Sequence, residues 1–177
     1  MPDNMTFNTP NGQTIATEAR IAFLNVGAAE SQTWAPVGIR VSSSDASYDW
    51  GKETSQDILG NTYTTLKKPV VTQGFDPWPM TNGDEALQRF WNDGIRNQDA
   101  AAMGAKDMLI VHKYAGTKET AVFAERYTAC AVEITSMAGD GGGHLNMAVT
   151  VTYGGERTVG TVTVEGNKVT FTADSAL

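Results

Sequence analysis

One cysteine, Cys130, and two histidines, His112 and His144, are all this chain offers for thiol, relay or transition-metal chemistry. A lone cysteine closes no intrachain disulfide, which excludes a secreted scaffold stapled by bridges. Its surroundings, YTACAVEI, read as a strand, and there Cys130 is a small buried apolar residue rather than a nucleophile. No GxSxG, HExxH, CxxC or calcium-loop spacing occurs, so no catalytic residue, no metal and no cofactor is expected. Positive charge is also scarce. Thirteen Lys and Arg stand against twenty Asp and Glu, a net charge of −7, the wrong sign for gripping phosphate backbones through an overall field. No stretch approaches the roughly 18–20 apolar residues of a membrane span. The start, MPDNMTFNTPNGQ, has neither a basic region nor an apolar h-region, so the expectation is a soluble protein made in the cytoplasm.

What the chain does have points to β structure. Its 177 residues, 41% hydrophobic, suit a single domain with a real core. Eighteen glycines, with many threonines and valines, favour strands and turns. Residues 1–17 are polar, carry Asn-Gly at 11–12, and read as an N-terminal arm. ARIAFLNV (19–26) reads as a buried strand, followed by a loop around Trp34 and Pro36. VGIRVSSSDASYDW (37–50) suits a strand with a wet face, and NTYTTLKKPVVTQGF (61–75) is its expected partner. The two would form one long hairpin over 37–75 with a loop at 51–60, longer than the two to five residues hairpins need.

FDPWPM (75–80) breaks the pattern. Asn82, with Glu85 three residues on, is the expected cap of an amphipathic helix over 84–97, whose Leu87, Phe90, Trp91 and Ile95 form a stripe suited to docking on a sheet. Strands are then expected at 106–114, 120–137, 144–153, 156–165 and 167–173, with YGGE and EGN as tight hairpin turns. The fold class is mainly β: a β-sandwich or barrel with one flanking helix, in one domain over 1–177.

Three features could carry chemistry, and each has a plainer reading. His112 alternates with apolar residues in a strand, as a structural histidine does. His144 follows GDGGG, but what comes next is a strand, so no helix N-terminus is aimed at an anion and a turn is the better reading. Asp45 and Asp49 would lie on one strand face roughly 13 Å apart, too far to share a metal.

A polar hairpin with an oversized loop is left without a task inside a monomer. Its sequence, WGKETSQDILGNTYTTLKKPVVTQGFDPWP (50–79), resembles the tail tube (major tail) proteins of siphophages and related phage-tail-like particles of Gram-positive bacteria. The specific part is KETSQDILGNTYTT followed by KKPVVTQGFDPW, and the likeness extends more loosely to the carboxyl end. The resemblance implies a β-sandwich-like subunit that forms hexameric rings stacked helically into the tail tube of a virion, the conduit for DNA ejection into a host bacterium. It implies as partners further copies of itself, a tape-measure protein, a tail terminator, baseplate or distal tail proteins, and double-stranded DNA in transit, with no membrane. Within it, Lys52, Glu53 and Asp57 are expected in charged pairs between subunits or rings, with Ile58 and Leu59 as apolar anchors. A second class of function is a surface binding module, adhesin- or lectin-like, using Trp34, Trp50 and Trp78 as ligand platforms.

Overall fold

The computed structural model describes residues 5–166 and 168–174. Eleven strands are present among them: β1 (Arg20–Asn25), β2 (Trp34–Pro36), β3 (Ala46–Asp49), β4 (Glu53–Gln56), β5 (Thr62–Thr65), β6 (Val70–Pro79), β7 (Lys106–Thr117), β8 (Ala121–Ala138), β9 (Asn146–Tyr153), β10 (Arg157–Glu165) and β11 (Lys168–Ala173). Helix α1 (Glu85–Trp91) runs into a π-turn (Asn92–Arg96), and the short α2 (Ala100–Met103) follows. The protein is mainly β, as the composition implied.

All pairings are antiparallel. The path runs β2-β1-β7-β8-β9-β6-β3, and the β10–β11 hairpin branches from β8. The branch arises because β8 is long enough to serve two sheets. Its first part pairs with β7 and β10 through Val122–Tyr127, and its second part pairs with β9 through Ala131–Ala138. β9 and β10 therefore lie end to end along the same strand. YGGE is consequently not a hairpin turn: it is the corner where the chain steps from one sheet to the other. Glycine is required there. Gly155 has φ +76, and a Cβ on it would sit 2.6 Å from the Ala129 amide nitrogen. The other expected hairpin holds, with Glu165 opposite Lys168; residue 167 of its turn lies outside the described residues.

The two sheets face each other across the main core, where Leu24, Met108, Ile110, Cys130, Val149, Val151 and Trp78 are buried. In the strand expected at 144–153, Met147, Val149, Val151 and Tyr153 are buried, whereas Leu145 precedes the strand and is exposed. A second apolar cluster, with Phe23, Trp34, Leu109 and Val162, occupies the opposite face of β1, β7, β8 and β10. The prolines of FDPWP are part of the strand. Pro77 falls where the β6–β9 register shifts between Phe75 and Trp78, and Pro79 is the last residue of the strand, both places where a missing amide donor is tolerated.

The helix docks as its stripe implied, through Leu87 and Phe90, which are 2% and 0% exposed, while Ile95 in the π-turn stays 37% exposed. Its cap is Asp84 rather than Asn82. Asp84 Oδ1 accepts the Leu87 amide at 3.1 Å and Oδ2 accepts the Trp78 indole N–H at 3.0 Å, joining the helix start to β6. Burial raises the Asp84 carboxyl above its ordinary value, against these hydrogen bonds. The π-turn packs closely on the sheet at Gly94, where a Cβ would stand 2.7 Å from Ile134 Cδ1 and 3.0 Å from Met103 Cε, the ends of two side chains that can shift.

The expected strand from Val37 begins only at Ala46; residues 37–45, rich in serine, form turns and loop. The arm is held in part, with Phe7 bridged to Ala115 and packed edge-on against Tyr114.

Candidate functional site

The long hairpin is the feature that the rest of the fold does not use. β3 pairs with β6 from Ala46–Gln73 to Asp49–Val70, and the ladder resumes beyond a break as β4 with β5, from Glu53–Thr65 to Gln56–Thr62. The expected loop 51–60 is thus half ladder, and the true turn is Asp57–Asn61. Every residue of β4 and β5 is exposed. An isolated two-stranded ribbon is marginal in water, so local bonds must hold it in shape. Asp57 supplies most of them. Its Oδ1 accepts the amides of Leu59 and Asn61, each at 2.9 Å, while Oδ2 accepts Asn61 Nδ2–H at 2.9 Å and the Tyr63 hydroxyl at 3.0 Å. The Asn61 hydrogen bonds, foremost among these, hold the Asp57 carboxyl below its ordinary value.

The five residues expected at an interface therefore divide. Asp57 is spent on shaping the turn. Glu53 forms an ion pair with Lys67 across the same hairpin, an exposed pair of small energetic weight. Lys52 is exposed at the break between the two ladders. Ile58 and Leu59 stand at the tip, 101% and 81% exposed, and no contact among the described residues accounts for them.

At the base of the ribbon the hairpin outruns the opposing sheet. Tyr48 lies opposite Val71, whose side chain is core, so Tyr48 and Trp50 continue the inward face past the point where anything covers it. Together with Val70 they rim a cleft of about 490 Å³, floored by Tyr127 and Tyr153 and flanked by Lys68 and Arg157. No sequence signal announces this cleft, because its walls come from five strands and the segment between β9 and β10.

Behind the floor lies a buried polar cluster. Arg157 pairs with Glu125, and His112 Nε2 stands 3.6 Å from Glu125 Oε2, with His112 Nδ1 2.8 Å from the Tyr114 hydroxyl. Burial pushes the Glu125 carboxyl up, but His112 and Arg157 outweigh it and bring it down to about 2. Arg20 donates to Gln73 at 3.0 Å, and Gln73 in turn accepts the Tyr153 hydroxyl at 2.8 Å. These groups tie β1, β6, β7, β8, β9 and β10 together beside the cleft floor, with Arg20 Nε and Nη2 and His112 Nε2 left without a hydrogen-bond partner among the described residues.

The remaining candidates take structural places. Cys130 is buried, which pushes its thiol up to about 12. His144 lies in the hairpin turn between β8 and β9. Asp45 falls outside β3, and Asp49 accepts the Gly51 amide at 2.9 Å, so the two do not share a strand face. Trp34 and Trp78 are 6% and 0% exposed and cannot be ligand platforms; only Trp50 is available. Among the described residues, no three His, Cys, Asp or Glu side chains converge as a metal site.

No protein-family model matches the chain, and no curated protein does. Among solved structures, it is similar to a chain of the sheath–tube complex of an extracellular contractile injection system, PVC, in the extended state. That match has 14% identity and a TM-score of 0.46 over 86% of this chain and 95% of the other. A chain of the sheath/tube terminator of a PVC contractile injection system gives 16% identity and a TM-score of 0.48, over 85% and 99%.

Proposed function

We propose that this chain is a structural, self-assembling subunit of a virion tail tube, with no enzymatic role. The observation that carries the reading is the ribbon β4–β5, exposed on all sides and ending in Ile58 and Leu59. A chain that maintains an apolar pair at the end of a polar, well-braced arm has a binding partner for it. Unfinished sheet margins agree with this: β2, β3 and β11 each pair along one edge only among the described residues, and identical copies around an axis would complete such edges.

In this reading six copies form a ring, and rings stack head to tail through an open, heterologous contact, as a filament requires. The sequence resemblance of residues 50–79 to tail tube proteins supports the ring number and the partners: a tape-measure protein within the growing tube, a terminator at one end and baseplate proteins at the other. Lys52 and the segment 51–60 lie at the contact between rings or subunits. Six copies would carry roughly −42 in all, and a lumen of that sign lets double-stranded DNA pass without sticking. A lumen dominated by Lys and Arg would contradict that part.

The test is deletion of residues 52–59. The chain is expected to remain folded and to lose assembly, because the ribbon contributes nothing to either core. Tubes formed normally by the deletion variant would refute the assignment.

A further inference from the structure

We infer that the hairpin tip of one copy, Ile58 with Leu59, seats in the aromatic cleft at the hairpin base of a second copy. This rests on the tube reading above and adds the receiving surface. The tip and the cleft rim hold much of the large apolar side-chain surface that the fold leaves in water: Ile58 and Leu59 on one side, and Tyr48, Trp50 and Val70, 46%, 49% and 52% exposed, on the other.

The occupant has to come from another copy. Ile58 lies seven residues beyond Gly51, and at 3.2–3.4 Å per residue the ribbon carries the tip at most about 23 Å from its own base. The ladder from Glu53–Thr65 to Gln56–Thr62 holds that extension, so a chain cannot fill its own cleft. Shape also agrees. The cleft's volume of about 490 Å³ has room for two branched aliphatic side chains, and its floor is set by Tyr127 and Tyr153, whose rings pack 5.2 Å apart.

Charge completes the match. Between Thr54 and Leu66 the one side chain charged at neutral pH is Asp57, directly behind the tip. The cleft mouth carries Arg157, already paired with Glu125, and Lys68, which makes no ion pair among the described residues. Seating the tip brings Asp57 toward Lys68. The contact is tip to base, hence heterologous, and its repetition builds a ring where the rotation closes and a filament where it does not.

Mixed disulfide trapping tests the seating. Chains carrying Ile58→Cys are assembled with chains carrying Val70→Cys under mild oxidation; buried Cys130 is not accessible to compete. A disulfide-linked dimer is expected at about tenfold or more above the yield from Ile58→Cys with Lys118→Cys, since seating raises the local thiol concentration. Adding Trp50→Ala to the Val70→Cys chain should bring the yield back toward that control. Normal tubes whose Ile58→Cys and Val70→Cys chains cross-link no better than the control would overturn the seating and leave the tube reading standing. Wild-type protein that forms no higher assembly would overturn both. An oligosaccharide that binds the cleft in intact tubes would also displace the proposed occupant.

Discussion

Replacing Ile58 and Leu59 together by serine separates assembly from folding. In the isolated chain both side chains are in water, so the folding free energy should stay within roughly 0.5 kcal/mol of wild type. The turn should survive as well, because Asp57 is bonded to the backbone amides of Leu59 and Asn61 and to the side chains of Asn61 and Tyr63, none of which is altered. Assembly should not survive unchanged. Full burial of an aliphatic side chain is worth roughly 1.5–3 kcal/mol. Association recovers only part of that, so the pair is worth about 2–3 kcal/mol per contact. At 1.4 kcal/mol per tenfold, the critical concentration for polymer should rise about 30- to 150-fold. Sedimentation of polymer across a concentration series reads this value, and thermal melting of the supernatant confirms the fold. A critical concentration within about threefold of wild type, against that expectation, would refute the tip as an anchor.

Two further predictions address the frame that holds the site. Asp84→Ala leaves the Trp78 indole and the Leu87 amide without their acceptor, which should cost about 2–4 kcal/mol and lower Tm by roughly 5–15 °C, and Asp84→Asn should rescue it only in part, since it keeps one acceptor and turns an NH2 toward the other donor. The Glu125 carboxyl is held at about 2 in the folded chain against about 4.5 when free, so its contribution, about 3 kcal/mol, is fully present above pH 5 and is lost as pH falls from there toward 2. Urea denaturation at pH 7 and pH 3 should show that loss, and Glu125→Gln should remove this part of the pH dependence.

The parts of the fold that the sequence shows plainly are those where one side chain in two is buried. β9 is the clearest: Met147, Val149, Val151 and Tyr153 face the core, and any register error would turn them to water. The hairpin partners 46–49 and 70–73 were legible for a related reason, the shared turn between them. Other features rest on non-local choices. Gly154 and Gly155 signal a bend, but whether the bend closes a hairpin or turns a corner depends on where β8 lies, which is a long-range matter. ETSQ and TYTT carry no apolar alternation, so their pairing hid inside an apparent ten-residue loop. Asn82, Gly83 and Asp84 all suit a helix start, and the choice of Asp84 is made by Trp78, whose indole needs an acceptor in the core. The tip residues were readable as misplaced apolar groups. The cleft was not, because Tyr48, Trp50, Tyr127 and Tyr153 meet only in three dimensions.

The most direct measurement is negative-stain electron microscopy of the purified wild-type chain over a range of concentrations. Stacked rings growing into hollow tubes are expected, with the onset set by the contact that the hairpin makes. A population that stays monomeric at high concentration, with the tips of its hairpins free in solution, would contradict the account.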